Sequence, residues 1–122
     1  MFLISVLSSQ LKIRGRSPEN ISIFRGFLIL ITTLVFLLGN CILQIAMWAI
    51  AFIQLGQFID YQEAFYHSAV NFTTLGYGDI VMDHPWRILG AMEAISGILM
   101  LGLSTATLSN VFGRLLRLKR PS

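Results

Sequence analysis

The amino-acid sequence predicts an all-α membrane protein in which two membrane-spanning helices flank a re-entrant segment. The first observation is the composition: 55% of the 122 residues are hydrophobic and 12% are charged, about half the usual charged share near 25%. The second is a pair of long apolar runs, and the third is an apolar stretch between them that is too short to cross a bilayer. A soluble domain of this size needs a charged surface, so the composition argues against a soluble enzyme.

Charge, cysteine content and missing motifs argue against several other classes of protein. The net charge of +3 does not indicate a nucleic-acid partner, because the nine basic residues are few and lie next to lipid-length apolar runs. Cys41 is the single cysteine, so an intrachain disulfide is excluded. The sequence contains no metal-ligand cluster, no nucleophile with a base and no phosphate-binding loop. It therefore predicts neither an enzyme nor a bound cofactor.

The first span is predicted over 26–56, because residues 26–59 carry no charge. As a single helix this run would extend roughly 50 Å, beyond the ~30 Å hydrocarbon core, so it tilts or continues into the interface. Gly39, Asn40 and Gln44 are interpreted as helix–helix contact positions, since small residues allow close approach and amides bond between helices. For Gly39, simple tolerance of lipid is the alternative.

The second span is predicted over 86–113 and contains one ionisable residue, Glu93. Asp83 or His84 is expected to cap its start, with Trp86 at the membrane interface. Residues 114–122 are expected to form a basic cytoplasmic tail that anchors the topology or holds anionic lipid.

Residues 1–25 are expected to form a cytoplasmic or interfacial segment, with a new helix starting near Pro18. Eight of the nine basic residues lie at 12–25 or 114–120, and five of the six acidic residues lie at 60–93. The positive-inside rule then places both termini in the cytoplasm and residues 57–87 outside. The small size and the lack of processing signals favour a prokaryotic plasma membrane.

A short helix is predicted over 61–73, where apolar residues dominate. Asp60 and Glu63 have the spacing of a capping box, with Asp in place of Ser or Thr. The helix is too short to cross a bilayer, and a Gly-rich stretch follows it. Irregular backbone at membrane depth is tolerated only where protein buries it or a wet cavity borders it, so this arrangement predicts a re-entrant loop.

The Gly-rich stretch from Thr73 to Asp79 reads TTLGYGD. It resembles the selectivity filter of potassium channels, with Leu75 in place of the commoner Val. The order of span, short helix, filter and span also matches, so the chain resembles the two-transmembrane-helix potassium channel family over about residues 26–118. A Gly-rich turn between two helices is the alternative, and it leaves the apolar 61–73 segment unexplained.

The resemblance implies a filter over 74–79 in which backbone oxygens replace the hydration shell of K⁺. The carbonyl oxygens of Thr74, Leu75, Gly76 and Tyr77 and the Thr74 hydroxyl would line it, and Gly76 and Gly78 would adopt positive φ at little cost. The side chains of Leu75 and Tyr77 would point away from the ion and pack the strand against the short helix. K⁺ is then the permeant ion and no cofactor is needed.

One chain supplies one filter strand, and a closed ring of carbonyls needs four strands. The predicted unit is therefore a homotetramer, with three further copies of the chain and membrane lipid as partners. A separate regulatory subunit is compatible with the sequence.

Several residues are expected to support the filter from behind. Tyr66 and His67 stand where many relatives have two Trp, and the Tyr66 hydroxyl is expected to reach Asp79 at the mouth. Val70 stands where some relatives have an acid. Glu93 is expected to pair with His67 or Tyr66; the alternative is a snorkelling or protonated acid near the interface.

The second span is also expected to line an inner cavity. On a helical wheel of 100° per residue, the pore-lining positions are Ile98, Leu101, Thr105 and Ser109. Gly97 lies where relatives have a gating hinge, with close helix packing as the alternative reading, and Gly102 is interpreted as a packing position. Ser104 and Thr107 are expected to bond their own helix. No helix carries Arg at every third position, so no voltage sensor is predicted.

The function predicted from the sequence is passive, potassium-selective conduction across a membrane. One alternative is a weakly selective cation channel, although such relatives usually alter the Tyr-Gly-Asp portion that is intact here. The other is a non-conducting membrane subunit or regulator that retains the hairpin.

Overall fold

The computed structural model describes residues 23–119, which form three α-helices and one 3₁₀ turn. Helix α1 covers Ile23–Gln54, α2 covers Tyr61–Phe72 and α3 covers Arg87–Lys119, with a 3₁₀ turn over His84–Trp86. These described residues contain no β-strand. The expected interfacial helix, the expected helix start near Pro18 and the last residues of the basic tail lie outside them.

Helix α1 ends at Gln54, two residues before the predicted end of the first span. Gly56 adopts φ +71. Its N–H donates to the Ile53 carbonyl at 2.9 Å, and the Gln57 N–H donates to the Phe52 carbonyl at 3.0 Å. This is a Schellman motif, in which a glycine in the left-handed region closes the helix. The helix therefore ends at this glycine, whereas the predicted bound of the span at residue 56 follows the apolar run and stays a prediction.

Helix α2 is the predicted short helix, ending at Phe72 with Thr73 as its C-cap. The Asp60 carboxylate accepts the Glu63 N–H at 3.3 Å, which is the capping contact that the spacing predicts. With 12 residues, α2 is about 18 Å long and cannot cross a bilayer.

Helix α3 continues to Lys119, six residues past the predicted end of the second span. The predicted end of the membrane span at Gly113 stays a prediction, because charge ends an apolar run without ending a helix. Arg, Leu and Lys are all good helix formers, and no proline follows Gly113 before Pro121. At the other end, Asp83 precedes the 3₁₀ turn and its side chain makes no capping bond, so that expected cap is not formed.

Helix α2 packs against both long helices near one end of the molecule. The core there consists of buried apolar side chains from α1, α2 and the connecting segments: Ala49, Phe52, Phe58, Ala64 and Met82. Phe24–Gln54 and His84–Leu116 are each long and apolar enough to span a membrane. The chain is therefore all-helical with two candidate spans and a short helix inserted between them, as the sequence predicts.

Candidate functional site

The segment that follows α2 turns back against the end of that helix. The Leu75 and Gly76 N–H groups both donate to the Val70 carbonyl, at 3.0 and 3.2 Å, and the Thr74 N–H donates to the Asn71 carbonyl at 2.8 Å. The last carbonyls of a helix lack partners within the helix, so these amides satisfy them. The first half of the 74–79 segment is thereby held by its backbone N–H groups.

The sign of the backbone φ angle alternates along this segment. Thr74 has φ +61, Gly76 has φ +60 and Gly78 has φ +72, while the residues between them keep negative φ. Alternation of right- and left-handed conformations places successive N–H groups on one side of the chain, so the carbonyls lie toward the other. Positive φ at the two glycines agrees with the expectation from the motif.

Thr74 is the position that sequence reasoning missed in this alternation. A β-branched residue at positive φ is a backbone outlier that costs on the order of 1–3 kcal/mol. Nothing in its side chain signals that conformation. Thr74 precedes Gly76 by two residues, the same spacing that separates Gly76 from Gly78. That spacing is the signal that would have predicted the positive φ of Thr74.

The two adjacent threonines differ in what their hydroxyls do. The Thr73 hydroxyl donates to the Ala69 carbonyl at 2.7 Å and is therefore part of the helix end. The Thr74 hydroxyl makes no hydrogen bond to the residues that the structure describes, and Thr74 is exposed. Of the pair, Thr74 has the hydroxyl available to a ligand.

The side chains of Leu75 and Tyr77 are 54% and 67% exposed on this chain. The expectation that they pack the segment against a short helix stays a prediction, because most of their surface is uncovered on one chain. These large apolar groups are left for contacts outside the single chain.

Two side chains of α2 hold the far end of the segment. The Tyr66 hydroxyl donates to the Asp79 carboxylate at 2.8 Å, the contact that the sequence predicts. Negative charge on Asp79 favours keeping that phenolic proton, so the hydrogen bond raises the pKa of Tyr66 above its ordinary value. Val70 is buried and carries no acid to this group.

His67 has both ring nitrogens engaged. Its Nδ1 lies 2.9 Å from the Ile80 carbonyl, and its Nε2 lies 2.8 Å from the Asn71 amide nitrogen. A carbonyl only accepts and an amide NH₂ only donates, so this pairing fixes a neutral ring with the proton on Nδ1. Burial lowers the pKa of His67, although the hydrogen bond to Ile80 acts in the opposite direction.

Glu93 does not pair with His67 or Tyr66, because both of those side chains are bonded elsewhere. Its carboxyl group is fully buried and forms a hydrogen bond with the Ser68 hydroxyl. The expected pairing was wrong because the Tyr66 hydroxyl reaches Asp79 and the His67 ring reaches the Ile80 carbonyl. The Ser68 hydroxyl instead lies between α1 and the Glu93 carboxyl of α3. Sequence reasoning missed Ser68 and Asn71, although polar residues on an apolar helix beside a buried acid were a usable signal.

Gly97 is a close-packing position in this structure. A Cβ atom built there would lie 1.9 Å from the Phe72 carbonyl oxygen at the end of α2. Gly102 has nothing within 4 Å of the equivalent position, so the packing role expected for it is absent from the described chain. The hinge role for Gly97 stays a prediction, and its contact with α2 is a geometric fact.

The four positions expected to line a cavity are all exposed along α3: Ile98, Leu101, Thr105 and Ser109. Thr105 and Thr107 donate their hydroxyls to carbonyls one turn earlier on α3, as expected for Thr107. The same expectation for Ser104 was wrong, because its buried hydroxyl has no partner among the described residues.

The arrangement suits binding through backbone oxygen. Residues 23–119 contain no group of three or more His, Cys, Asp or Glu that could hold a transition metal. Carbonyl oxygens are hard ligands that favour alkali or alkaline-earth cations over softer metals. What the site offers is a row of carbonyl groups beside two apolar helices.

A family model described as an ion channel matches residues 27–114, which include α2, the 74–79 segment and most of both long helices. Comparisons with curated proteins and with solved structures found no match.

Proposed function

The chain belongs to the ion channel family whose model spans residues 27–114, and from that membership we propose that it is the subunit of a homotetrameric, potassium-selective channel. The family is one of membrane channels and not of enzymes. The observation that carries the proposal is the alternating backbone at Thr74, Gly76 and Gly78. A backbone of this kind supports a ring of carbonyl oxygens when four copies meet around one axis.

Selectivity for K⁺ follows from what the carbonyl ring replaces. An ion entering the filter loses its water, and the carbonyls of residues 74–77, with the free Thr74 hydroxyl, compensate for that loss. The N–H groups of Leu75 and Gly76 are occupied by Val70, which keeps them away from the ion. The C-terminal end of α2 adds a partial negative charge that favours a cation near the filter.

The tetramer accounts for surfaces that a single chain leaves uncovered. Leu75 and Tyr77 are largely exposed beside the 74–79 segment, and the four positions expected to face the cavity are exposed along α3. Neighbouring copies would cover the first two, and a water-filled pore would border the others. Conduction is passive, and the charge distribution favours both termini in the cytoplasm.

Reconstitution of the purified chain in liposomes tests this function. We expect K⁺ efflux to exceed Na⁺ efflux at least about a hundredfold, as a preference of about 3 kcal/mol implies, and crosslinking to stop at four subunits. Equal fluxes would indicate a weakly selective cation channel, and no flux would indicate a non-conducting subunit; either result rejects the proposal.

Gly76→Ala is the matched variant for this experiment. Neither Gly76 nor Gly39 has an obstacle within 3.5 Å of an added Cβ, but only Gly76 has positive φ. The left-handed conformation costs an L-residue about 1–2 kcal/mol. We expect Gly76→Ala to abolish selective flux and Gly39→Ala to preserve it.

A further inference from the structure

Three oxygen atoms, one from each helix, contact one another in sequence and so connect the three helices. The Ser68 hydroxyl on α2 lies 2.9 Å from the Ile45 carbonyl oxygen of α1, and it also contacts the Glu93 carboxyl of α3. Ser68 and Glu93 are both fully buried. Ser68 is 23 residues from Ile45 and 25 residues from Glu93 in the sequence. Its two contacts are therefore polar links between the short helix and the two long helices.

Counting protons decides the state of Glu93. A serine hydroxyl has one proton, and a carbonyl oxygen or an ionised carboxylate only accepts. The two contacts of Ser68 need two protons, so the second must belong to the carboxyl group. In the consistent arrangement, Glu93 donates to Ser68, and Ser68 donates to the Ile45 carbonyl.

The surroundings of Glu93 also disfavour a charge. Its second oxygen, Oε2, has no hydrogen-bond partner among the described residues, and the Asn71 side chain of α2 is the other polar group that interacts with the carboxyl. A buried carboxylate without a partner is costly, so the group neutralises instead. On α3 the preceding charged residue is Arg87, whose Nε donates to the Met82 carbonyl at 3.1 Å.

The other two helices supply no cation either. Helix α1 carries no charged residue from Gly26 to its end at Gln54, and its titratable residue in that range is Cys41. On α2, Glu63 is exposed and His67 is a neutral ring with both nitrogens engaged. Tyr66 donates to Asp79.

We propose that Glu93 is protonated when the channel conducts, and that loss of this proton releases α2 from the two long helices and closes the filter. The name proton latch is used below for Ile45, Ser68 and Glu93. Deprotonation leaves one hydroxyl proton for two acceptors and a negative charge in an apolar site. A cavity of about 360 Å³ is lined by Asn71 of α2 and by Gly90 and Ala94, which lie within one helical turn of Glu93 on α3.

Release of α2 reaches the filter directly. The Val70 carbonyl, two residues after Ser68, holds the N–H groups of Leu75 and Gly76. A shift of α2 therefore changes the backbone on which ion binding depends. Glu93 acts as a positioning residue, since it touches neither the ion nor the 74–79 segment.

The test measures K⁺ efflux from liposomes between about pH 7 and pH 9, a range above the reference pKa of His and below that of Tyr. It compares the wild type, Glu93→Gln and the matched control Glu63→Gln, which makes the same change at an exposed position. Wild type and Glu63→Gln are expected to lose flux about tenfold on alkalinisation, the effect of one buried hydrogen bond. Glu93→Gln, whose amide donates like the protonated acid, is expected to keep constant flux. A flat wild-type profile, or parallel profiles for wild type and Glu93→Gln, overturns the latch.

This flux test rests on the proposed potassium channel function, so infrared spectroscopy provides an independent measurement. At about pH 7 the wild type is expected to show the carbonyl stretch of a protonated carboxylic acid, and Glu93→Gln is expected to lack it. Ser68→Ala, which removes the acceptor, is expected to shift that band, which keeps the test decisive should Glu93→Gln not fold. Absence of a Glu93-dependent band, or a band unmoved by Ser68→Ala, rejects the latch even where K⁺ flux is present. Presence of the band without any flux rejects the channel function and not the protonation.

Discussion

The two halves of the molecule differ in what holds them together. We call residues 45–97 the hairpin half, and residues 23–44 with 98–116 the two-helix half. Among the side chains that the structure describes, the buried polar and hydrophobic residues all lie between Ile45 and Glu93, except Val111. The hairpin half is therefore packed by one chain, whereas the two-helix half exposes most of its apolar surface.

Hydrogen bonds follow the same division. In the hairpin half, polar side chains join different elements, as Tyr66, His67 and Ser68 all do. In the two-helix half, threonine hydroxyls such as Thr32 and Thr105 bond carbonyls of their own helix, although the Asn40 amide of α1 donates to the Met100 sulfur of α3 at 3.6 Å. Residues that satisfy themselves locally leave a helix surface suited to lipid or to another copy of the chain.

The largest difference between the halves is expected from truncating a phenylalanine in each. Phe52 is fully buried, and Phe112 is 52% exposed. Phe52→Ala leaves a cavity between α1 and α2 and is expected to cost about 3–5 kcal/mol. Phe112→Ala is expected to cost much less. Thermal unfolding of the detergent-solubilised protein measures both, and equal losses would show that the two-helix half is packed as tightly as the hairpin half.

Gly97 and Gly102 of α3 lie on either side of the boundary between the halves and allow a matched comparison there. Gly97→Ala forces a Cβ against the Phe72 carbonyl, and such overpacking costs about 1–3 kcal/mol or more. Because Phe72 precedes the filter, we expect K⁺ flux to be lost as well. Gly102→Ala meets no obstacle within the chain and is expected to retain stability. Similar behaviour of the two variants would contradict the packing role of Gly97.

Acidification is expected to give the smallest effect and to act on the hairpin half alone. Burial lowers the pKa of His67 below its ordinary 6.5, so its neutral ring stabilises the fold above about that pH. This contribution is lost as pH falls toward the lowered pKa, because protonation puts a second N–H against the Asn71 amide. We expect the melting temperature to fall on acidification. His84→Gln, at an exposed position, should keep that fall and His67→Gln should lose it; a fall that survives in His67→Gln would assign it to another group.

Much of the site was predictable because its signals are local. Asp60 and Glu63 mark the start of α2 by their spacing, and the TTLGYGD stretch marks the irregular segment by its glycines. The contact of Tyr66 with Asp79 was predictable from one helix and the segment that follows it. The ends of the long helices were less predictable, because an apolar run and a hydrogen-bonded helix stop for different reasons.

Within residues 23–119, the sequence by itself determined the number and order of the α-helices and the place of the irregular 74–79 segment. It does so because apolar length, capping spacing and glycine content act within a few residues of one another. The tertiary structure decided that Glu93 meets Ser68, that Gly97 and not Gly102 is close-packed, and that Thr74 joins the glycines at positive φ. Those outcomes depend on the rotation of each helix about its own axis and on contacts between residues far apart in the chain, which no local pattern specifies.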